Sequence, residues 1–196
     1  MTPDVFIFQT STGTKEHPEQ LAVVYCPDSQ AKDALISNLK YHFDQSIPPD
    51  GILLLGSTRC GATISQCLSD ESLLRSLPLF TRTKHPPGVF GFKQDRDGRW
   101  LAQSPESGRF EKNLDGILQS GVAHIFRARG GLLRCTPSFH YRKPSGAHCD
   151  SFLRAANVLV HGAEIGFIGS QLISSSALGK NDPLALASSD PLEEQD

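Results

Sequence analysis

Long apolar segments are absent from this sequence. The longest uninterrupted one, Leu21–Cys26, has six residues, whereas a membrane-spanning helix needs about 20. The first residues carry Asp4 and lack a basic segment followed by a long apolar one, so they do not resemble a secretory signal. Hydrophobic residues make up 38% and charged residues 20% of the 196-residue chain, which is typical of globular domains. We therefore expect a soluble, cytoplasmic protein that does not insert into a membrane.

Paired metal-binding arms are also missing. A structural zinc site needs two closely spaced pairs of Cys or His ligands, and the histidines and cysteines of this chain do not form such pairs. Even the densest group, between Cys135 and Cys149, lacks the spacing. We therefore predict no metal site and expect reduced thiols. The five cysteines are Cys26, Cys60, Cys67, Cys135 and Cys149.

Familiar catalytic signatures are missing too. There is no Gly-x-Ser-x-Gly sequence of a serine hydrolase. Residues Leu53–Thr63 join an apolar run to a loop of small residues, but no Gly-Lys-Ser/Thr follows, which excludes a Walker loop. The loop could hold a phosphate through its amides, or Arg59 could activate Cys60 as a nucleophile. A plain turn between a strand and a helix is the simpler interpretation.

Strand-like and helix-like patterns alternate over the first hundred residues. Short apolar runs at Val5–Phe8, Leu21–Cys26 and Ile52–Leu55 predict strands. Apolar residues recur at every fourth position of Ser29–Asp44, which predicts a helix with Asp28 as its cap. This order predicts an α/β or α+β fold, in which a small mixed sheet has flanking helices.

Turn and cap residues mark the elements that follow. Ser69 is predicted to cap a short helix that runs through Leu77. Val89–Phe92 and Trp100–Ala102 predict a β-hairpin with Asp97-Gly98 at its tip. The remaining predicted elements are a helix over Phe110–Phe126 that Gly121 interrupts, a strand over Leu132–Tyr141 and a helix over Gly162–Ile173.

Helical periodicity stops after Ile173. Residues 174–196 hold five acids, one lysine and two prolines, which predicts a disordered acidic tail. The expected organisation is therefore an N-terminal α/β domain over residues 1–108, a second segment over residues 109–173, and the tail.

Positive charge is concentrated in Arg127–Arg154. This window holds six cations and a single acid, Asp150. Such a concentration indicates an anionic ligand, and Phe139 and Tyr141 could stack on nucleic-acid bases. A solvated basic surface is the alternative interpretation.

The most informative segment, Phe139–Arg154, joins an aromatic and basic strand to a Ser-Gly turn. Ser145 and Gly146 can turn sharply and offer amide donors, while Phe152 offers a flat face to a base. We predict a site for a nucleotide-like ligand here. Its candidate residues are Arg142, Lys143, Ser145, Gly146, His148, Phe152 and Arg154.

This segment resembles the opening of the orotate-type phosphoribosyltransferases, which consists of a helix, a Phe-x-Leu-x-Ser-Gly strand and turn, and a nearby Phe-containing segment. The resemblance covers Phe110–Ile173, about one third of the chain. It places Ser145 and Gly146 on the family's Ser-Gly turn and Phe152 against the base. It implies phosphate contacts by Lys143, one place earlier than the family's lysine, and by His148 or Arg154.

The family transfers a phosphoribosyl group from its pyrophosphate to a nitrogen nucleophile, with Mg²⁺ on the pyrophosphate. Its acidic pair and Thr/Gly-rich phosphate loop have no counterpart here, since the adjacent acids are Asp70-Glu71, at a predicted helix start, and Glu193-Glu194, in the tail. We therefore expect a truncated, phosphoribosyltransferase-like protein that is not catalytic alone. It would use Mg²⁺ and phosphoribosyl pyrophosphate only if a partner subunit, a second copy or a longer chain completed the site.

A second hypothesis requires no catalysis. The protein would then be a regulatory or interaction protein, and its basic segment would bind a nucleotide, a nucleic acid or an acidic partner. Charge reversal at Arg142 and Lys143 separates a specific site from a merely solvated surface, because only the former loses affinity for its ligand.

Overall fold

A computed structural model describes residues 5–13, 18–28, 32–44, 47–70, 77–136, 141–142, 145–149 and 151–179. Within these residues a mixed sheet has helices on both faces, so the predicted α/β class is confirmed. The predicted acidic tail lies outside the described residues from residue 180 onward.

The central sheet has five strands: β1 (Phe6–Gly13), β2 (Pro18–Cys26), β3 (Gly51–Gly56), β4 (Gly88–Gln94) and β5 (Trp100–Ala102). Their order across the sheet is their order in the chain. The three inner strands, β2, β3 and β4, are parallel because helical crossovers join them. The edge strands β1 and β5 pair antiparallel with their neighbours.

Helices form a layer on each face of the sheet. The first layer contains α1 (Lys32–Asp44), α2 (Gly61–Ser69) and α3 (Pro78–Arg82). Crossover connections between parallel strands are right-handed. Since β2, β3 and β4 follow one another in the same direction across the sheet, each crossover places its helix on the same face. The second layer contains a 3₁₀ helix (Pro105–Asn113), α4 (Leu114–Ala128), α5 (Ala155–Val158) and α6 (Gly162–Gly179).

Strand β2 is buried on both of its faces. Leu21, Val23 and Tyr25 point into the core beneath α4 and α6. Ala22 and Val24 alternate with them and point into the core beneath α1 and α2. Strand β3 repeats this pattern, and the burial on both faces explains why the two strands are continuous apolar runs in the sequence.

Aromatic side chains join α6 to the sheet. The ring of Phe167 lies 5.1 Å from that of Phe6, 5.7 Å from that of Phe8 and 5.3 Å from that of Tyr25. The Tyr25 hydroxyl donates a hydrogen bond to the Gly166 carbonyl at 3.0 Å, and burial raises the pKa of Tyr25 to about 12. These contacts fix the helix against strands β1 and β2.

The predicted β4–β5 hairpin is confirmed. Its turn is closed by a hydrogen bond from the Asp95 amide to the Arg99 carbonyl at 2.9 Å. Gly98 has φ +84°, which glycine adopts without strain. Gln94 fixes the turn to α6, because its buried amide donates to the Ser170 carbonyl at 2.9 Å.

One predicted helix boundary is wrong, and another lies partly outside the described residues. Ser69 is the last residue of α2, where its hydroxyl donates to the Gln66 carbonyl. Residues 71–76, which make up most of the short helix predicted to follow it, lie outside the described residues. Gly121 does not interrupt a helix, since α4 continues through it to Ala128. It is a contact position, because a Cβ there would lie 2.7 Å from the ring ends of both Phe8 and Phe167.

The second half of the chain packs directly on the sheet. Phe110, Ile117 and Phe167 belong to the same buried cluster as residues of β1 to β4, so this region does not have a separate core. The division at residues 108 and 109 stays a prediction. At the other predicted boundary, residues 174–179 extend α6 to Gly179 instead of starting the tail.

We predict that alanine substitution changes the free energy of unfolding in opposite directions at two glycines of α4. Gly116→Ala should raise the free energy of unfolding by up to about 1 kcal/mol, because alanine favours a helix and no atom lies within 4 Å of the new methyl group. Gly121→Ala should lower it by about 1–3 kcal/mol, because the methyl group overpacks Phe8 and Phe167. Urea unfolding of the two variants measures the difference. Equal effects would contradict this packing of α4.

Candidate functional site: a basic ribbon

Residues 132–153 contain two nested antiparallel strand pairs, which we call the ribbon. The strand pair nearer the core consists of β6 (Leu132–Arg134) and β9 (Ser151–Leu153). Further along, β7 (Tyr141–Arg142) pairs with β8 (His148–Cys149). Of the predicted strand over Leu132–Tyr141, the described residues form β6 and the first residue of β7, which belong to different pairs. Residues 137–140 lie outside the described residues.

A close backbone approach fixes the ribbon to the core. The Gly131 amide donates to the Phe126 carbonyl at 2.8 Å, and the Arg154 amide donates to the Gly131 carbonyl at 2.8 Å. Gly131 has no room for a side chain, because a Cβ would lie 2.2 Å from Val158. The end of α4 and the start of α5 therefore hold the two ends of the ribbon together.

A bidentate ion pair supports this base. The Arg129 guanidinium donates from Nη2 to Oε1 of Glu164 at 2.7 Å and from Nε to Oε2 at 2.9 Å. The Glu164 side chain is only 11% exposed, so solvent screens the pair less than an exposed one. The contact holds α6 beside the carboxyl end of α4.

The predicted Ser-Gly turn is present between β7 and β8. Ser145 lies in the turn, and Gly146 has φ +84°, a conformation that favours glycine. The Arg142 guanidinium lies over this turn, since its Nη2 is 3.6 Å from the position of a Cβ on Gly146. His148 is exposed on β8, whereas Lys143 lies outside the described residues.

An aromatic pair connects the two strand pairs. The rings of Tyr141 and Phe152 stack with centroids 5.5 Å apart and planes at 25°. Phe152 is 45% exposed, so part of its ring can be reached from solvent. The structure therefore brings together two residues that are eleven positions apart and that sequence spacing did not pair.

Four exposed arginines lie on the ribbon or at its base. None of them forms an ion pair within the part of the chain that the structure describes. The one acid of the window, Asp150, lies outside the described residues. Two of the four, Arg127 and Arg134, were not among the predicted site residues. Arg134 lies opposite Ser151 in the β6–β9 pair, and Arg127 lies in the last turn of α4, just before the ribbon. The four are Arg127, Arg134, Arg142 and Arg154.

The loop after β3 is the plain strand-to-helix turn that the sequence favoured. The Ser57 hydroxyl donates to the Pro27 carbonyl at 2.6 Å and accepts from the Arg59 amide at 3.2 Å. Arg59 pairs with Asp28 at 3.2 Å. Lys93 packs over the first residue of α2, Gly61. The loop thus has cations beside a helix N-terminus, but one of them is already paired.

The thiol next to this loop is not placed for nucleophilic attack. Cys60 is fully buried, as are Cys26 and Cys67, in the core beneath α1 and α2. A hydrogen bond with Cys60, together with burial, raises the pKa of Cys26 well above its ordinary value. The buried thiols are therefore packing groups, and the hypothesis of a Cys60 nucleophile finds no support in this geometry.

Metal-ligating and membrane-spanning arrangements were sought in the same residues. Among the residues that the structure describes, no group of three or more His, Cys, Asp or Glu side chains is placed to hold a metal ion. No helix within the described ranges is long and apolar enough to cross a membrane.

Comparison with known proteins gives no assignment of family. The chain matches no family model, no curated protein and no solved structure. The resemblance to phosphoribosyltransferases therefore stays a prediction, and the arguments for function depend on the site itself.

Thiol labelling tests the placement of the cysteines. In the native protein, iodoacetamide should modify the half-buried Cys135 and Cys149 before Cys26, Cys60 and Cys67, because a thiol must be reached by the reagent and ionise. All five should react in urea. Peptide mass spectrometry identifies the modified residues. Labelling of Cys60 ahead of the others in the native protein would restore it as a candidate nucleophile.

Proposed function

We propose that the protein is a non-catalytic binding protein whose ribbon holds single-stranded nucleic acid. The observation that carries this proposal is the presence, on the ribbon and at its base, of four exposed arginines without an ion pair within the described residues, together with a partly exposed aromatic stack. Proteins that bind single strands without sequence preference combine these same two features: cations along the phosphate backbone and aromatic faces for the bases.

The arginines supply the phosphate contacts. A guanidinium is always charged and presents a planar fork of donors, which fits two oxygens of a phosphate. Arg134 and Arg142 lie on the ribbon, and Arg127 and Arg154 lie at its base. A bound strand that follows the ribbon would therefore meet cations at several points along its length.

The aromatic pair supplies the base contact. Tyr141 covers one side of Phe152 and holds it as a platform, so a base would stack on the part of the ring that remains exposed. Stacking of one base on an aromatic side chain contributes about 1–3 kcal/mol. Since every base has such a face, the platform favours single strands without demanding a sequence.

The exposure of these groups favours a polymer over a mononucleotide. A small-molecule site encloses most of its ligand, whereas Arg142, His148, Phe152 and Arg154 are all exposed. A nucleic acid can bind an open surface because it makes many weak contacts along its backbone. The phosphoribosyltransferase interpretation shares the phosphate chemistry but also needs the acidic pair that the sequence lacks.

Charge reversal tests the phosphate contacts. Arg142→Glu with Arg154→Glu should weaken binding of a fluorescein-labelled oligothymidylate by at least about tenfold, because a hydrogen bond to a charged group contributes about 1.5–3 kcal/mol. The slope of log affinity against log salt should also fall by about 0.7 for each lost contact. Fluorescence anisotropy measures both. The matched control is Arg96→Glu with Arg99→Glu, which changes the same charge in the β4–β5 turn and should leave both values nearer to those of the wild type.

Truncation of the platform tests the base contact separately. Phe152→Ala should weaken binding by about 1–3 kcal/mol, through loss of stacking, without changing the salt slope. Its neighbour Leu153, which is 62% exposed and points to the other side of β9, supplies the control Leu153→Ala. If Phe152→Ala and Leu153→Ala weakened binding equally, the loss of affinity would reflect a less stable ribbon and not the loss of base stacking.

Three results would overturn the proposal. Absence of binding to oligothymidylate and to oligouridylate at low salt would show that the ribbon does not hold single strands. Displacement of the oligonucleotide by phosphoribosyl pyrophosphate at equal phosphate concentration would favour a mononucleotide site. Equal weakening by the Arg96 and Arg99 control would show that net charge alone is responsible.

A further inference from the structure

A groove lies along the outer edge of β1, at the end of α4 that is remote from the ribbon. Its volume is about 450 Å³. Residues Thr10–Gly13 of β1 form one wall, and residues of α4 and of the preceding turn form the other. The strand order places β1 at the edge of the sheet, and no described strand pairs with its outer side.

The strand wall presents its backbone to the groove. Side chains of consecutive strand residues point to opposite faces of a sheet, yet four consecutive residues, Thr10–Gly13, line this one groove. A groove that runs along the edge of the strand would meet all four. Such a groove would bring the outward amide and carbonyl groups of β1 within reach of a ligand.

The helical wall is formed by α4 and by the 3₁₀ helix that precedes it. Gly116 and Ser120 lie four residues apart on one face of α4, and Lys112 lines the groove from the 3₁₀ helix. The Ser120 hydroxyl donates to that of Thr10 at 2.9 Å and joins the two walls. At Gly116 the groove is open, because no atom lies within 4 Å of the position of a Cβ.

Strand β1 lacks the usual protection of a sheet edge. Exposed edges are generally blocked by charged residues, proline or bulges. The eight residues of Phe6–Gly13 include no charge and no proline, and they pair with β2 in unbroken register. The edge is thus regular and ready to accept a further strand.

Among the described residues that line the groove, Lys112 is the one that is ionisable, and it forms no ion pair within the described residues. The other described lining groups are hydroxyls, an amide, glycines and the side chain of Ile117. Among them the buried Thr12 hydroxyl has no described hydrogen-bond partner. A ligand with a carboxylate would complement this wall.

We propose that the groove binds an acidic, extended peptide segment of a partner protein as an additional strand on β1. The peptide backbone would pair with the outward groups of β1, and an aspartate, glutamate or terminal carboxylate would pair with Lys112. Side chains of alternate peptide residues would lie against α4. This docking surface is independent of the ribbon and of the nucleic-acid proposal.

A blocking variant with a matched control tests the site. Gly116→Leu places a branched side chain in the groove, and its Cβ has no described atom from outside its own helix backbone within 4 Å. Gly169→Leu makes the same change on α6, where the position of a Cβ is equally open. A phage library that displays heptapeptides is first depleted of the phage that bind Gly116→Leu. The remaining phage are then selected for binding to the wild type. We expect enriched peptides rich in aspartate and glutamate that bind the wild type and Gly169→Leu alike and bind Gly116→Leu at least about tenfold more weakly.

Backbone methylation then distinguishes strand addition from other modes of binding. N-methylation at alternate residues of an enriched synthetic peptide removes backbone donors and leaves the side chains intact, so affinity should fall at least about tenfold. Lys112→Glu should weaken the same peptide, whereas Lys40→Glu on the opposite helix layer should not. Circular dichroism of each variant confirms that the fold is retained.

Several outcomes would overturn the inference. Failure of any peptide to enrich over the depleted background would show that the groove is not a peptide site. Binding that withstands N-methylation at every backbone position would exclude strand addition. The wild type could instead form a concentration-dependent dimer that is lost in Gly116→Leu and kept in Gly169→Leu. That result would show that the edge binds a second copy of this chain and not a partner protein.

Discussion

The burial of both faces of β2 and β3 is the constraint on which the rest of the structure depends. Side chains from Leu21 to Cys26 and from Ile52 to Leu55 are almost entirely buried, so neither face of the sheet can remain in water. The crossover helices α1 to α3 cover one face because the chain must pass there to make parallel neighbours. The opposite face has no such local cover. It is closed by α4 and α6, which come from much later in the chain and bring Phe167 onto Phe6, Phe8 and Tyr25.

Closure of that face determines where both candidate surfaces lie. Helix α4 has 15 residues and is therefore about 22 Å long. Its middle is fixed by the contact of Gly121 with two phenylalanine rings. With the middle fixed, the amino-terminal part lies beside the edge of β1 and forms the groove, while the carboxyl end places Gly131 against Val158 and supports the ribbon. The ion pair of Arg129 with Glu164 then ties the ribbon base to α6.

Features encoded by local sequence could be predicted, and features set by distant contacts could not. The apolar runs of β2 and β3, the Asp97-Gly98 hairpin and the Ser145-Gly146 turn follow from neighbouring residues, and the structure contains all of them. Ser69 has the chemistry of an N-cap, yet the same hydroxyl can pair with a carbonyl at a helix end, as it does with Gln66. Gly121 would weaken an isolated helix. Its presence is explained only by the close packing of Phe167, which comes later in the chain. The stack of Tyr141 on Phe152 depends on strand register, which no local pattern specifies.

Under the two proposals, the affinities of the two surfaces would have different physical origins. The ribbon is built from strand pairs of three and two residues, which alone are marginal in water, and it presents several cations on an open surface. Affinity for a single strand would come from the release of counterions from a polyanion, and salt would weaken it steeply. The groove joins a regular eight-residue strand to a helix through the Ser120–Thr10 hydrogen bond and has one cation. Affinity for a peptide would come mainly from backbone hydrogen bonds in fixed positions, and salt would weaken only the single pair with Lys112. Because one helix positions both surfaces while different forces act at each, ionic strength separates them in the intact protein, without any substitution.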